Sequence, residues 1–396
     1  MSIDNNGRIS RGKTLLHVTI DTSIYRKDPK REKGGFRALK RLCKGQKVKL
    51  YVPEVVKREF ISQQKIATEE EIQKILTAAK SINRRSRSEI LKDFADKTTK
   101  MADKLAPRVG ANARSEFKEW IGDCNAEVLA IRPKHGNRVM DDYFQGNPPF
   151  SSPKHRDDIP DSFIFHNIVD LASEHETVYV VVNDGGLFNA VGTIKNVKAF
   201  KELDDFTSTQ ECQEALAKLT GETIATNMER AKQIIPKQHE SLALMLENDI
   251  VDALAYRTIH DHYFSEDSNE AMISMVEEAE PVFDFDNIEY YGGSEIGIPF
   301  TAVSECTVDY PIFKSEYVTM SDEEMSKISV TELNDHFFEA QQDFPIGVKG
   351  TLSIEITTDH LEDPDVSDSD LAAAINDGEH KVEIEETWIV KEDSKH

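Results

Sequence analysis

Two short runs of this chain are almost wholly apolar and β-branched: "TLLHVTI" at residues 14–20 and "TVYVVV" at 177–182. Runs of that length and character read as strands buried on both faces, as in a parallel sheet joined by crossover helices. Each ends in acid. Asp21 follows the first run, and Asn183 and Asp184 follow the second. In open α/β sheets ligands gather outside the carboxyl ends of the strands, so two carboxylates placed there would point into one crevice. The plainer reading is that Asp is a good turn residue; its occurrence after both of the most apolar runs favours the crevice.

The chain between these runs is mostly helical. "VKLYVP" is a second strand candidate, and "EVVKREFISQQ" follows as a helix with Pro53 suited to its first turn. Residues 64–132 read as an almost unbroken helical insertion, rich in Ala, Glu, Lys and Leu, with one break near Pro107 and Gly110. A Gly-, Asn-, Pro- and Ser-rich loop leads to a helix from about Pro160 to His175. Strand, helices and strand in alternation to about residue 206 predict an α/β domain over 1–206 with a central parallel sheet. Residues 207–396 read as a separate α+β region, helical over 210–264 and β-rich over 288–390. There "TLSIEITTD" and "KVEIEETWIV" alternate as half-exposed antiparallel strands do.

Two helices add to the acidic set. In "PEVVKREF", Glu59 lies three and four residues beyond Val56 and Val55, on the same helical face. In "PDSFIFHNIVDLA", Asp161 stands three, four and seven residues before Ile164, Phe165 and Ile168, at the head of the buried stripe. A carboxylate so placed is costly unless it is paired or metal-bound. Asp158 has the position of a helix cap, and Asp157 reads as an exposed loop charge or as a group supporting the ligands from behind. Asp21, Glu59, Asp161 and Asp184 can thus converge at one sheet edge, where oxygen-only ligands favour Mg2+ or Mn2+ over zinc. Such an ion activates water and stabilises charge on a phosphate.

Four segments in order, "VTIDTSIYRKDP", "YVPEVVKREF", "PPFSSPKHRDDIPDSFIF" and "VYVVVNDGGLF", resemble the successive motifs of the PIN domain nuclease family. The likeness runs over roughly residues 14–200. It implies a PIN-like three-layer α/β fold with a long helical insertion and a metal-dependent endonuclease, most often acting on single-stranded RNA. Structure-specific DNA cleavage and a non-catalytic nucleic-acid-binding module are the alternatives. Carried over by position, Asp21, Glu59, Asp161 and Asp184 are the metal-binding and catalytic carboxylates, with Thr22 or Ser23 as a helper hydroxyl. The chain departs from the family pattern at Val182, where a Thr or Ser is usual, and at Ile159, where one subgroup has Phe.

Charge separates the two regions. The net charge of −24 conceals +10 through residue 200, from 36 Lys+Arg against 26 Asp+Glu, and −34 beyond it, from 12 against 46. The basic half suits phosphates. Eleven Lys and Arg fall within residues 26–49. Arg26, Lys27, Lys154, His155 and Arg156 are the candidates nearest the carboxylates for substrate phosphate contacts; a solvated surface is the alternative for each. The acidic half is expected to restrain the basic half in cis, to bind a protein partner or form a homo-oligomer, or to sense a trigger in a toxin-like or defence system. Cys43, Cys124, Cys212 and Cys306 form no CxxC pair, which argues against zinc and disulfides and fits a reducing compartment. "MSIDNNGRISRGK" lacks a signal-peptide core and no apolar run reaches the ~20 residues of a membrane span. The expectation is a cytoplasmic protein without a membrane partner. His260 and His262 in "IHDHYF", "YYGG" at 290–293 and "DPDVSDSDLAAA" have the look of sites but lack the required spacings.

Overall fold

The computed structural model describes residues 15–264 and 270–390; Thr14 and the N-terminal segment read above for a signal peptide lie outside these residues. The chain divides into two compact units, Met1–Ala215 and Leu216–His396.

The first unit runs β1 (Leu16–Ile20), α1 (Thr22–Lys27), α2 (Gly34–Lys44), β2 (Val48–Pro53), α3 (Glu54–Arg85), α4 (Glu89–Leu105), α5 (Val109–Asp123), β3 (Glu127–Leu129), α6 (Pro133–Gln145), α7 (Ile159–Glu174), β4 (Val178–Val181), α8 (Gly185–Val191), β5 (Val197–Phe200) and α9 (Leu203–Thr207). Its five strands form one sheet in the order β3-β2-β1-β4-β5, parallel throughout. Val18 and Ile20 of β1 and Val178, Val180 and Val181 of β4 are fully enclosed, as two covered faces require. The chain winds outward from β1 through β2 to β3, then returns to β4 on the other side of β1. The winding therefore reverses between β1 and β4, and Asp21 and Asp184 follow those two strands. This is the α/β fold with a central parallel sheet expected of a PIN-like domain.

α3 has 32 residues, about 48 Å at 1.5 Å per residue. Its first turns lie against the sheet domain. Phe60 joins Tyr25 of α1, Phe36 of α2, and Phe117 and Trp120 of α5 in one aromatic cluster. The Arg31 guanidinium lies over the Phe60 and Phe117 rings at 5.3 and 5.4 Å. Further out, α3, α4 and α5 share a small core of Ile72, Leu76, Ala102 and Val109. The insertion is more divided than its composition suggests. Besides the break near Pro107, α3 and α4 part at residues 86–88, where the Ser88 N–H donates to Ser86 Oγ (3.1 Å). Serine hydroxyls compete with helical bonds in this way. Pro53 ends β2 and precedes α3 as its cap residue, so it is not in the first turn.

α10 (Gln210–Thr220) spans the division between the units. The second unit continues α11 (Glu222–Ile234), α12 (His239–Leu254), β6 (Thr258–His260), β7 (Glu270–Phe283), β8 (Glu289–Gly292), β9 (Glu295–Phe313), α13 (Lys314–Tyr317), α14 (Asp322–Ser326), β10 (Ser329–Glu332), β11 (Phe337–Glu355), α15 (Thr358–Glu362), α16 (Asp368–Asn376) and β12 (Glu379–Ile389). Its strands form a second sheet, ordered β10-β11-β9-β7-β6 with β12 on β11 and β8 on β9. All of these pairings are antiparallel. α12 buries Leu242, Leu246, Ile250 and Leu254 at four-residue spacing and packs on β7 and β12.

The helical stretch expected to reach 264 ends at Leu254, and β structure begins before 288, with β6 and then β7 at Glu270. The Ala, Glu and Met of β7 favour helix, but pairing with β9 overrides that preference. β9 runs unbroken through Pro299 and Pro311. β8 pairs with β9 only to Gly297 and β7 only from Phe300 to Asp309, so both prolines fall where that edge has no ladder partner. A residue without an N–H is tolerated there. Among the described residues no helix is long and apolar enough to cross a membrane.

Candidate active site

The geometry of the first unit gathers acid at the carboxyl end of its sheet. Asp21 follows β1, is buried and caps α1, its Oδ2 accepting the Ser23 N–H at 2.9 Å. Asp184, exposed beyond β4, caps α8 in the same way, with Oδ1 accepting the Leu187 N–H at 2.8 Å. The turn role that Asp commonly plays is therefore filled at both strand ends. The Asn183 N–H donates to Ser23 Oγ (3.1 Å), tying the chain beyond β4 to α1.

Glu59 reaches the same crevice from the second turn of α3. Thr22 Oγ1 donates to Glu59 Oε2 at 2.8 Å and Gln63 Nε2 donates to Oε1 at 3.0 Å. Both oxygens are thereby oriented; Thr22 is buried, and the Ser23 side chain bonds the other buried carboxylate, Asp21. Asp161 occupies the first turn of α7. Asp158 immediately before that helix makes no cap bond to it. Its Oδ2 instead accepts the Ser151 N–H and hydroxyl at 2.7 and 2.8 Å, and His155 Nδ1 lies 3.1 Å from Oδ1. Asp158 thus folds the preceding loop back on itself, a role that cap spacing does not reveal.

The electrostatics separate these acids. Burial, then the charges of Asp21, Asp184, Glu59 and Asp158, pushes the Asp161 carboxyl up to about 7. Burial raises Asp21, with the charge of Asp184 adding and bonds from Ser23 and Thr22 working against it. Burial and then the charge of Asp21 raise Glu59 against the Thr22 bond and the charge of Arg26. At Asp158 burial is outweighed by the bonds from Ser151 and His155, and that carboxyl lies below its ordinary value. Asp21, Glu59, Asp161 and Asp184 thus share one field. Among the described residues, no three His, Cys, Asp or Glu side chains are grouped tightly enough to hold an ion as they stand. Several units of negative charge in a half-buried crevice are relieved by protonation or by a cation. The donor set is all oxygen and fits Mg2+ or Mn2+.

The basic residues expected nearby divide. Arg26 is exposed and close enough for its charge to act on Glu59. Lys27 is engaged by Glu202, which also accepts from Asn183 Nδ2 at 3.0 Å. His155 is engaged by Asp158, while Lys154 and Arg156 are exposed on the loop before α7. Two groups escaped the reading of the sequence. Gln63, one turn beyond Glu59, could have been found from its spacing. A groove of about 440 Å3 lined by Lys57, Arg58, Lys65, Arg114 and Glu54 could not, because Arg114 comes to it from α5.

Residues 18–188 match the PIN domain family model, and this part of the chain is a PIN-like domain. PIN domains are in general metal-dependent nucleases, so a nuclease-type function is indicated for the first unit. The match does not reach the second unit. No curated protein and no solved structure is significantly similar to the chain.

Proposed function

We propose that the first unit is a divalent-metal-dependent endonuclease acting on single-stranded RNA, with Asp21, Glu59, Asp161 and Asp184 as the carboxylates that hold Mg2+ or Mn2+. The observation that carries this reading is the state of Asp161, held up to about 7 by burial and four surrounding carboxylates. A divalent ion bound among them supplies the charge that makes a neutral-pH nucleophile of water and offsets the charge of the scissile phosphate. The chain's own part is positional. Thr22 and Gln63 fix the Glu59 carboxylate, and the capping bonds hold the Asp21 and Asp184 carboxylates at the two strand ends. Arg26 supplies positive charge beside Glu59 for a substrate phosphate.

The test is cleavage of single-stranded RNA, single-stranded DNA and a flapped duplex in Mn2+ by the full chain and by Asp161→Asn. Undiminished cleavage by the variant sinks the assignment of the site. Preference for DNA or the flap sinks the assignment of substrate alone. The net of −34 beyond residue 200, against +10 before it, favours a restraining role for the acidic region, as in a toxin-like or defence nuclease. Removal of residues 216–396 then raises basal cleavage, and unchanged cleavage ends that part of the reading.

A further inference from the structure

The insertion carries an apolar face that its own packing does not use. α4 turns Ala95 and Ala102 inward, both buried. Ile90, Leu91, Phe94, Met101 and Leu105 stay open, at 82, 47, 58, 64 and 50 % exposure. On a helix of 3.6 residues per turn these five and the half-buried Thr98 fall within an arc of about 100°. Isolated exposed apolar residues are ordinary; a contiguous stripe along four turns marks an interaction surface.

Two features of the stripe make it self-complementary. Four of the five large residues, Ile90, Phe94, Met101 and Leu105, are spaced four, seven and four apart, a series that reads the same in both directions; Leu91, on the margin toward α3, has no counterpart in it. The charges reverse at the same midpoint. Glu89, Asp93 and Asp96 stand against Lys92 alone in the first half, and Lys97, Lys100 and Lys104 against Asp103 alone in the second. Asp93, Lys97, Lys100 and Lys104 line the margin of the stripe away from α3. Within the helix Lys97 bonds Asp93 at 2.6 Å. An acid-first, base-last helix also complements its own dipole, but that gradient does not call for an exposed apolar stripe.

We propose that α4 is a homodimer interface, pairing antiparallel with α4 of a second copy about a two-fold axis between Lys97 and Thr98. Ile90 then meets Leu105 of the second copy, and Phe94 meets its Met101, an aromatic–thioether contact. Asp93 faces Lys100 and Lys104 of the second copy. In a parallel pair this margin would instead face the opposite margin of the second copy, Leu91, Ala95 and Ala102, which carries no charge to answer it, so charge selects the antiparallel arrangement. A closed two-fold contact of this kind uses the same patch on both subunits.

The experiment takes the full chain through sedimentation equilibrium, beside a Phe94→Glu/Met101→Glu double variant and single-cysteine variants for oxidative cross-linking. The four native cysteines are buried, which keeps the background low. The expected result is a reversible dimer, with association weakened at least ~10-fold in the double variant and an unchanged far-ultraviolet spectrum. Thr98→Cys cross-links to itself. Ile90→Cys does not, but it cross-links to Leu105→Cys when the two are mixed. A monomer at every concentration overturns the proposal, as does a dimer that the double variant leaves intact. Self-cross-linking of Ile90→Cys overturns the antiparallel arrangement. None of these readings depends on cleavage.

Discussion

Asp161 and Asp170 lie on one helix, nine residues apart, and the protein treats them oppositely. Asp161, at the start of α7, is pushed up to about 7 by burial and the charges of other carboxylates. At Asp170 burial is outweighed by bonds from Lys134 and His135, and its carboxyl is held down to about 2. α6 supplies four partners to Asp170: Lys134 at 2.6 Å, His135 at 2.9 Å, Arg138 at 3.4 Å and, from the residue before the helix, Arg132 at 3.5 Å. One end of α7 has counter-charges built into the fold; at the other, the acids face mainly one another. A carboxylate whose charge the chain itself neutralises contributes to stability. A carboxylate left in the field of others costs stability, and a chain retains it for what it can bind.

The largest effects follow from removing the unneutralised acid. Asp161→Asn is expected to lower the cleavage rate in Mn2+ at least ~100-fold, beyond the 10–100-fold that outer partners of a metal site command. Its melting temperature should be no lower than that of the parent, because like-charge repulsion is lost with the charge. A cleavage defect accompanied by a lower melting temperature would mean that Asp161 holds the fold together, which would erase the contrast. The second expectation concerns the ion. Mn2+ should raise the melting temperature of the parent, since whatever binds only the folded state stabilises it. The same addition should have little effect on Asp161→Asn, and chelation should undo it. An equal rise in both proteins would place the ion elsewhere.

Asp170→Asn should behave in the opposite way. The shift from 3.8 to about 2, at ~1.4 kcal/mol per unit and discounted for partners that face solvent, corresponds to about 1–2 kcal/mol. In a unit of this size that is a fall of roughly 3–6 °C in melting temperature, with cleavage by the folded enzyme unchanged. The lowered value also sets the pH window. The unfolded chain holds its proton up to pH ~4 and the folded one only to about 2. The stabilisation is therefore complete above pH ~4 and lost as pH falls toward 2. Parent and variant should converge in stability over that interval, and a gap persisting at pH ~2 would show that packing rather than charge separates them.

The upper end of α7 was legible in the sequence because two periodicities meet there. Strands that are apolar throughout announced burial on both faces, so the acids just after them had to lie at a sheet edge. Helical spacing placed Glu59 and Asp161 on buried stripes. Asp158 stands at the cap position that spacing gives it, but its side chain bonds Ser151, a partner set by the path of the loop. Asp170 drew no attention because Arg132, Lys134, His135 and Arg138 sit on a different helix, and only the packing of α6 on α7 joins them. The same limit applies to β7, whose Ala, Glu and Met side chains favour helix until β9 lies beside them. Residues whose role depends on their own element could be read in advance; residues whose role depends on a second element could not.

The opposite edge of the sheet provides the smallest and sharpest test of the rule drawn from α7. At the amino end of β1, His17 stacks on His175 with ring centroids 3.6 Å apart. The Tyr51 hydroxyl lies 3.0 Å from His17 Nδ1 and 3.2 Å from His175 Nε2. This is the cationic counterpart of the carboxylate crevice, since two protonated rings in face contact repel. Burial, then the charge of His175, lowers His17 below its ordinary value of 6.5. The unfolded chain thus takes up a proton that the folded chain refuses, so stability is full above pH ~6.5 and falls as the pH drops below it. Glu127 and Glu174 act by their charge on Tyr51, and burial and His175 are what move His17. His17→Phe keeps the stack and removes the titration. Its stability should decline less than the parent's between pH ~7.5 and ~5.5, as measured by urea denaturation at each pH. Equal slopes would mean that the neighbouring carboxylates neutralise the pair after all, and that like charges at this edge, unlike those at the other, are compensated by the fold.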